Sequence, residues 1–501
     1  MAELHSLRGT GGASSNPMGG MTGTLKIWNP ATGQVAREIA ADTPQSLKAK
    51  YEAARAAQPA WAATKPADRT RMMKKFCDLL MKKMDALAAD QSLETGKPIS
   101  QAKNEIRATP GRVMFFVENW EKTLKPFGYP ASGGMEEVIK YEPLGVVANI
   151  SAWNYPWFVG SNVYVPALLT GNTVLYKPSE FSALTGLHVA ELLWEAGIPK
   201  DVFQPVIGAG DMGAEMLKLP VDGVFFTGSY ATGARIANAV AGRMIKVQLE
   251  LGGKDPTYVA DDVADVKSAA EGLADGAFYN NGQSCCSVER IYVHQKVYEP
   301  FVQHFIETVK GFKMGSPTDE ATYLGPLTRQ PQIQVIEDQI RDAVSKGAKV
   351  QTGGKRVSGQ GWYFEPTVLT NVNNGMKVMR DESFGPIIGI QAVGSDEEAV
   401  KLMNDTEYGL TAGVYSRNRK RAEGIMAQLN AGSAYWNCCD RVSPRLPWTG
   451  RRQSGMGTTL SHIGILAFVQ PKGWHMRSPA KPTKAAKKPA AKKKIQKKAK
   501  K

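Results

Sequence analysis

The stretch "FYNNGQSCCSVER" (residues 278–290) sets Cys285 and Cys286 side by side in a chain with only three other cysteines. A thiolate is a strong nucleophile, and a thiol ionises readily when a helix N-terminus or a cation lowers its pKa. "NNGQS" reads as a loop and Arg290 follows closely, but no histidine is near in sequence. On residue chemistry alone, two buried and inert thiols are the plainer reading. "VQLELGGKDP" (247–256) ends an apolar, strand-like run on Glu250, just before Gly252 and Gly253. A partly buried carboxylate there would have a raised pKa and could serve as a general base; a solvated strand-end glutamate is the alternative. Two glycine motifs could cradle phosphate. "GAGDMG" (208–213) has the G-x-G-x-x-G spacing after a strand, but lacks the acidic residue required about 20 residues further on. "FFTGSYATGARI" (225–236) passes from a β-rich run through Thr-Gly-Ser straight into a helical pattern. The first amides of that helix could hold a pyrophosphate, or the segment is simply a tight connection.

These residues need elements to position them. Helical patterns run through "DTPQSLKAKYEAARAAQPAW" and "ADRTRMMKKFCDLLMKKMDALAADQSLETGK", with Thr43 and Asp68 as expected N-caps and Gly96 as a C-cap. From Glu142 the texture changes to short β-rich runs ("GVVANIS", "GNTVLYK", "VFQPVIG", "GVFFTGS") separated by helical patterns such as "ALTGLHVAELLWEAG". A second series runs from "KDPTYVA" through "RIYVH" to "GIQAV" and "TAGVYS". Strands alternating with helices indicate mainly parallel sheets. Two α/β domains are the economical reading, and no internal repeat is visible.

Composition bounds the rest. The chain has 501 residues, 43% hydrophobic and 22% charged, ordinary for a globular protein. The N-terminus lacks the apolar stretch of a signal peptide, and no run approaches the ~20 apolar residues of a membrane span. Five cysteines, four of them in two adjacent pairs, argue against a disulfide framework and for a reducing, cytoplasmic compartment. The six histidines show no metal-ligand spacing, so no metal site is expected. The net charge of +15 is concentrated in residues 478–501, which hold eleven lysines and no acid. Residues 1–23, rich in Gly, Ser and Met, and the Lys/Ala/Pro tail 478–501 are both expected to be disordered.

Taken together, "SAWNYP" (151–156), "YKPSE" (176–180), "FTGS" (226–229), "ELGGK" (250–254), "NGQSC" (281–285), "ESFGP" (382–386) and "PWTGRRQSGMG" (447–457) stand in the order and approximate spacing of the aldehyde dehydrogenase superfamily. "NPATGQV" (29–35) and "FEPTVL" (364–369) also fit, and the resemblance spans roughly residues 24–475. It implies two Rossmann-like parallel-sheet domains and a small β oligomerisation arm. Residues 24–121 and 143–249 would form the NAD-binding domain, 250–458 the catalytic domain, and 122–142 with 459–477 the arm. A homodimer or homotetramer is implied.

The resemblance also distributes roles. The nucleophile would be Cys285, one residue beyond Gly282-Gln283 plus a spacer, with Cys286 a neighbour turned away. Its attack on an aldehyde would give a thiohemiacetal whose oxyanion is held by the Asn154 amide and the Cys285 backbone N–H. Hydride transfer to NAD would leave a thioester, which water activated by Glu250 hydrolyses. A glutamate there matches the hydrolytic branch, so a free acid is the expected product. Lys177 and Glu180 match the adenosine ribose contacts, and an acid at 180 favours NAD over NADP. Trp153 and Ser229 resemble pyrophosphate contacts, with Gly228 and Gly233 in the same turn and helix start. Glu382 and Phe384 resemble the residues that place the nicotinamide ribose and ring. "GAGDMG" would then be a decoy.

Two positions depart from the family pattern: Val163 stands where many relatives have Lys, and Thr459 where they have an acid. Both supports help relay the proton from the base, so their joint absence bears on the rate of thioester hydrolysis while leaving nucleophile and base in place. Asn162 lies in the substrate region, where betaine-aldehyde types tend to have Trp and some relatives that take carboxylate-bearing aldehydes have Arg; neither is present. Tyr155, Tyr279 and Trp448 match three sides of a betaine-type aromatic box, which attracts a trimethylammonium group. A neutral aliphatic or aromatic aldehyde is the main expectation, with a betaine or amino aldehyde as the alternative. The tail is similar to the Lys/Ala/Pro tails of linker histones and could bind nucleic acid or another polyanion without sequence preference.

Overall fold

A computed structural model describes residues 23–479. The expected disorder of residues 1–23 and 478–501 therefore falls, save for Gly23, Ser478 and Pro479, outside the described residues. Thr43 caps the helix Pro44–Ala62 through a capping box with Ser46, as its sequence requires. The next helical run differs from expectation. It starts at Pro66, which needs no donor at the first helical position, so Asp68 sits in the first turn and pairs with Arg71. It also breaks at Lys83 into Pro66–Lys82 and Met84–Thr95, the latter closed by Gly96 in the left-handed region.

Two parallel sheets follow. The first has six strands in the order Gly455–Met456, Lys246–Glu250, Gly223–Thr227, Val146–Ile150, Thr173–Lys177 and Phe203–Pro205. All but the first of these run parallel. The chain leaves Val146–Ile150 toward one edge and later returns to its other side. That reversal opens a crevice beyond the carboxyl ends of the strands, where such sheets bind ligands. The second sheet has seven strands, ordered Lys349–Thr352, Thr367–Thr370, Ile387–Val393, Arg290–His294, Pro256–Val259, Thr411–Tyr415 and Ser433–Trp436, with only the first antiparallel. The segment 250–458 is thus not confined to one unit: Gly455–Met456 crosses back to close the edge of the first sheet beside Glu250.

The third sheet is antiparallel, built from Phe127–Ser132, Met135–Pro143 and Val469–Arg477. One edge strand, Phe127–Ser132, is exposed along its whole length. A short hairpin, Thr24–Asn29 with Gln34–Ala40, precedes everything else.

Among the helices that leave the first sheet, Pro156–Leu169, Ala183–Ala196 and Gly210–Lys218 have no side-chain cap of their own. For the first two, buried glutamates from elsewhere supply it. Glu105, on the helix Ile99–Thr123, accepts the N–H groups of Trp157 at 2.9 Å and Phe158 at 3.3 Å. Glu94 accepts those of Leu184 and Thr185, each at 2.8 Å. Carboxylates satisfy orphan amides at a helix N-terminus and suit its dipole. Glu105 is in turn held by Lys97 at 2.6 Å and Gln91 at 2.7 Å. The loops carrying "SAWNYP" and "YKPSE" are thereby fixed in place.

Candidate active site

The residues before the paired cysteines adopt an unusual backbone. Asn280, Asn281 and Gly282 all have positive φ, at 54°, 57° and 67°. Asparagine tolerates this region and glycine favours it. Gly282 is further required because a Cβ there would lie 2.5 Å from the Gly385 carbonyl oxygen. The turn is held on every side. Asn280 N–H donates to Gln101 Oε1 at 3.1 Å, and Asn281 Nδ2 to the Gly325 and Pro326 carbonyls at 2.9 and 3.0 Å. Gln283 accepts from the Thr328 N–H at 3.0 Å and donates back to the Asn280 carbonyl at 3.2 Å. The sequence "NNGQ" is therefore a rigid platform. On it Cys285 is half-buried and Cys286 is buried. Asn154 Nδ2 donates to the Gln283 carbonyl at 3.1 Å, which leaves its second N–H available near Cys285.

The two thiols face different surroundings. Cys286 donates to Asp440 Oδ1 at 3.0 Å and lies 3.4 Å from Ser284 Oγ. Its neighbour Cys285, then burial and the Asp440 charge, push the Cys286 thiol well above the usual range. Both thiols line a cavity of about 260 Å³, together with Asn154, Tyr155, Asn162, Glu250 and Trp448, so Cys286 is not turned away as expected; Cys285 is the more exposed of the two.

Glu250 ends its strand inside the protein. Burial pushes its carboxyl up to about 7, against the opposing pull of the Thr459 hydroxyl, the Arg112 charge and the Thr227 hydroxyl. Thr459 Oγ1 donates to Oε1, and Thr227 Oγ1 approaches Oε2 at 3.4 Å. The two departures from the family pattern now have surroundings: Thr459 touches the carboxylate directly, whereas Val163 is buried among apolar side chains. Gly253 brings the following loop close, since a Cβ there would lie 2.7 Å from the Cys285 carbonyl oxygen.

The substrate-region residues also converge, for Tyr155, Asn162, Tyr279 and Trp448 all line the cavity. The aromatic box is nevertheless partly spent. Lys97 Nζ stands 4.0 Å from the centre of the Tyr155 ring, and the Phe158 ring lies parallel to it with centroids 6.2 Å apart. The Arg112 guanidinium covers Phe158 at 4.4 Å.

The expected cofactor residues gather at the reversal of the first sheet. Ser229 caps the helix Tyr230–Val240, and Gly233 lets that helix approach Leu251, whose Cδ2 would lie 2.5 Å from an added Cβ. The Gly228 N–H is already committed, donating to the Glu250 carbonyl at 3.0 Å. Lys177 and Glu180 lie 3.9 Å apart beyond the neighbouring strand, and the protein acceptor of Lys177 Nζ is the Pro178 carbonyl at 3.2 Å. A cation with spare donors beside a carboxylate fits a ribose diol, and the carboxylate opposes a phosphate there. Trp153 packs edge-on against Phe384, with centroids 5.4 Å apart. Glu382 accepts the Gly253 N–H at 3.1 Å, and burial, then the Glu289 charge, raise its carboxyl. The loop holding Glu382 and Phe384 is set by a buried pair, Lys254 with Glu289 at 2.7 Å, whose carboxylate also accepts the Ser383 and Phe384 amides. These groups fit NAD. "GAGDMG" begins the helix Gly210–Lys218 beyond the edge strand, where Gly213 packs against the Lys177 side chain: an added Cβ would lie 3.5 Å from its Cδ. Among the described residues no cluster of metal ligands occurs.

Gln101, Glu105 and Arg112, all on one face of the helix Ile99–Thr123, and Asp440 were not singled out by sequence. Their signal was present but faint: buried polar residues at helical spacing, on the face where an amphipathic helix should be apolar.

A dinucleotide crevice beside a thiol, a buried carboxylate and a side-chain amide defines an oxidoreductase that works through cysteine. The chain belongs to the aldehyde dehydrogenase family, whose description it matches over residues 19–473. It is 34% identical over 461 residues to a betaine aldehyde dehydrogenase of Mesorhizobium japonicum, covering 91% of this chain and 94% of that one. An NAD-dependent aldehyde dehydrogenase from Sinorhizobium meliloti superposes with a TM-score of 0.88 at 33% identity, over 91% of this chain and 92% of that one. PnpE, crystallised with nicotinamide adenine dinucleotide, gives 0.89 at 34% identity, over 92% and 95%.

The contrast between the thiols is open to a direct check. Brief treatment with iodoacetamide, followed by mass spectrometry of the peptide spanning 278–290, is expected to label Cys285 well before Cys286. Faster labelling of Cys286 would contradict the burial and charge described.

Proposed function

We propose that this chain oxidises an aldehyde to a carboxylic acid with NAD, through a covalent adduct on Cys285. The observation that carries the reading is that Cys285, Asn154 and Glu250 line one cavity. Cys285 Sγ adds to the aldehyde carbon, and the Asn154 amide with the Cys285 backbone N–H holds the resulting oxyanion. Bound NAD supplies the hydride acceptor. The acyl group then remains on Cys285 as a thioester. Glu250 takes a proton from water, the hydroxide adds to the acyl carbon, and the Cys285 thiolate leaves as the acid forms. Lys177 and Glu180 would hold the adenosine ribose, Trp153 and Ser229 the pyrophosphate, with Gly228 and Gly233 shaping the turn and helix start beside it, and Glu382 with Phe384 the nicotinamide half. The division into a cofactor domain, 24–121 with 143–249, and a catalytic domain, 250–458 save for the strand Gly455–Met456 that joins the first sheet, belongs to the same reading.

A betaine aldehyde is a second reading, favoured by the names of similar enzymes. The cation already lodged over Tyr155 counts against it.

Assembly through the three-stranded arm is part of the proposal. Phe127 and Tyr129 on its edge are more than half exposed, and an unpaired edge strand with apolar side chains is a template for pairing with another copy. All five cysteines are free, which supports a reducing, cytoplasmic setting.

The pH dependence of acyl-enzyme hydrolysis tests the base. A carboxyl pushed up to about 7 is protonated below that pH and cannot take a proton, so hydrolysis is expected to rise through a midpoint near there. The Thr459 hydroxyl stabilises the ionised form, so Thr459→Val should raise the pKa and move the midpoint to higher pH. A midpoint unmoved, or moved lower, would contradict the role.

The lysine-rich tail is proposed to bind polyanions as an addition to catalysis. Eleven lysines without an acid can neutralise several phosphates and release counterions. Deleting residues 478–501 should abolish retention on heparin at low salt and leave the oxidation rate within about twofold, since none of the proposed site residues lies in that stretch. Co-elution of truncated and full-length protein would show that the tail binds nothing.

A further inference from the structure

Four charged side chains line the Cys285 cavity: Glu105, Arg112, Glu250 and Asp440. Three are carboxylates, and each is already supplied with donors by the protein. Glu105 holds Lys97, Gln91 and two helix amides. Glu250 accepts from Thr459, Gln248 and Thr227. Asp440 accepts from Cys286 and, at 3.5 Å, from Ser284.

Arg112 is the exception. It is only 5% exposed, yet it forms no ion pair among the described residues. Its protein acceptors are Asn162 Oδ1 at 2.8 Å and, at a long 3.4 Å, the Val442 carbonyl. A guanidinium carries five N–H donors in a rigid fork, so most of this one is left over, in a wall of the cavity that also holds Cys285. Burial draws it down only to about 10, so it stays charged at neutral pH. The Glu250 and Glu105 charges and the Phe158 face offset part of the cost of burying it, and its spare N–H groups remain able to meet a further anion. The lining of the same cavity includes Tyr155, Phe158, Val159 and Trp448, apolar surface suited to the methylene groups of a substrate.

We infer that Arg112 is a substrate-recognition residue and that the preferred aldehyde carries a carboxylate at the end remote from its carbonyl, that is, an ω-oxo acid. The inference rests on the aldehyde-oxidising reading above and replaces the neutral aldehyde expected from sequence. The product would be a dicarboxylate.

The test compares the full-length enzyme on an unbranched ω-oxo carboxylate, its uncharged methyl ester and a trimethylammonium aldehyde, all with NAD. The oxo acid should exceed its ester in kcat/KM by about tenfold or more, the usual scale for a buried hydrogen bond to a charged group. Arg112→Gln should bring that ratio close to one, mainly through KM for the oxo acid, and Arg112→Lys should restore part of it. Preference of the unmodified enzyme for the ester or the trimethylammonium aldehyde would overturn the inference. So would an equal fall on all substrates in Arg112→Gln, which would mean that Arg112 only supports the charge of Glu250. Binding of the dicarboxylate product, followed by tryptophan fluorescence, separates recognition from turnover. Binding weakened by Arg112→Gln supports the inference, and unchanged binding overturns it. Absence of NADH from every aldehyde would instead sink the oxidation reading.

Discussion

Two buried glutamates at helix N-termini that cannot cap themselves are the constraint on which the rest of the cleft depends. Pro156–Leu169 and Ala183–Ala196 each leave the first sheet with orphan amides, and neither Tyr155 nor Ser182 offers a side-chain cap. Glu105 and Glu94 reach in from the helical segment that precedes the sheet. Losing either acceptor would leave buried donors unsatisfied, at a cost of about 1–3 kcal/mol each. The loops tied down in this way carry Asn154 on one side and Lys177 with Glu180 on the other. Helices far upstream in sequence therefore set both the cysteine site and the cofactor crevice. Lys97, brought in to balance Glu105, then covers Tyr155 and changes what the substrate cavity can attract.

The charges inside the cleft follow from the same economy of donors. Glu250 stays near neutrality because burial opposes its ionisation while Thr459 and Arg112 favour it. A hydroxyl thus occupies the place where many relatives have an acid, and the cation comes from a neighbouring helix rather than from position 163. The paired cysteines divide in a similar way: the Cys285 neighbour, then burial and the Asp440 charge, push the Cys286 thiol up, while Cys285, after the left-handed turn before Gln283, stays the more exposed of the two at the cavity.

Much of this was legible in the sequence, for physical reasons that differ by element. The alternating strands and helices predicted two parallel sheets because fully buried strands read as short apolar runs. Seven motifs in register placed Cys285, Glu250 and Asn154, and the structure brings those three residues into one cavity. The helix start at Pro66 was misread because Asp68 is a good cap wherever it stands, whereas proline needs none. Gln101, Glu105 and Arg112 were missed because a buried polar residue on a helix announces itself only through its partners. Arg112 and Asn162 are fifty residues apart in the chain and 2.8 Å apart in space. Nor could the cation over Tyr155 be seen, since aromatic residues in sequence do not say which of their faces are already taken.

The central claim is that Cys285 and Glu250 divide the reaction, one carrying the acyl group and the other releasing it. Stopped-flow measurement of NADH formation by Glu250→Gln, at saturating NAD and aldehyde, tests this most directly. The account predicts a burst about stoichiometric with enzyme, because adduct formation does not need the base, followed by a slow steady state in which the thioester persists. A folded Glu250→Gln enzyme that shows no burst, or that turns over as fast as the unmodified protein, would contradict it.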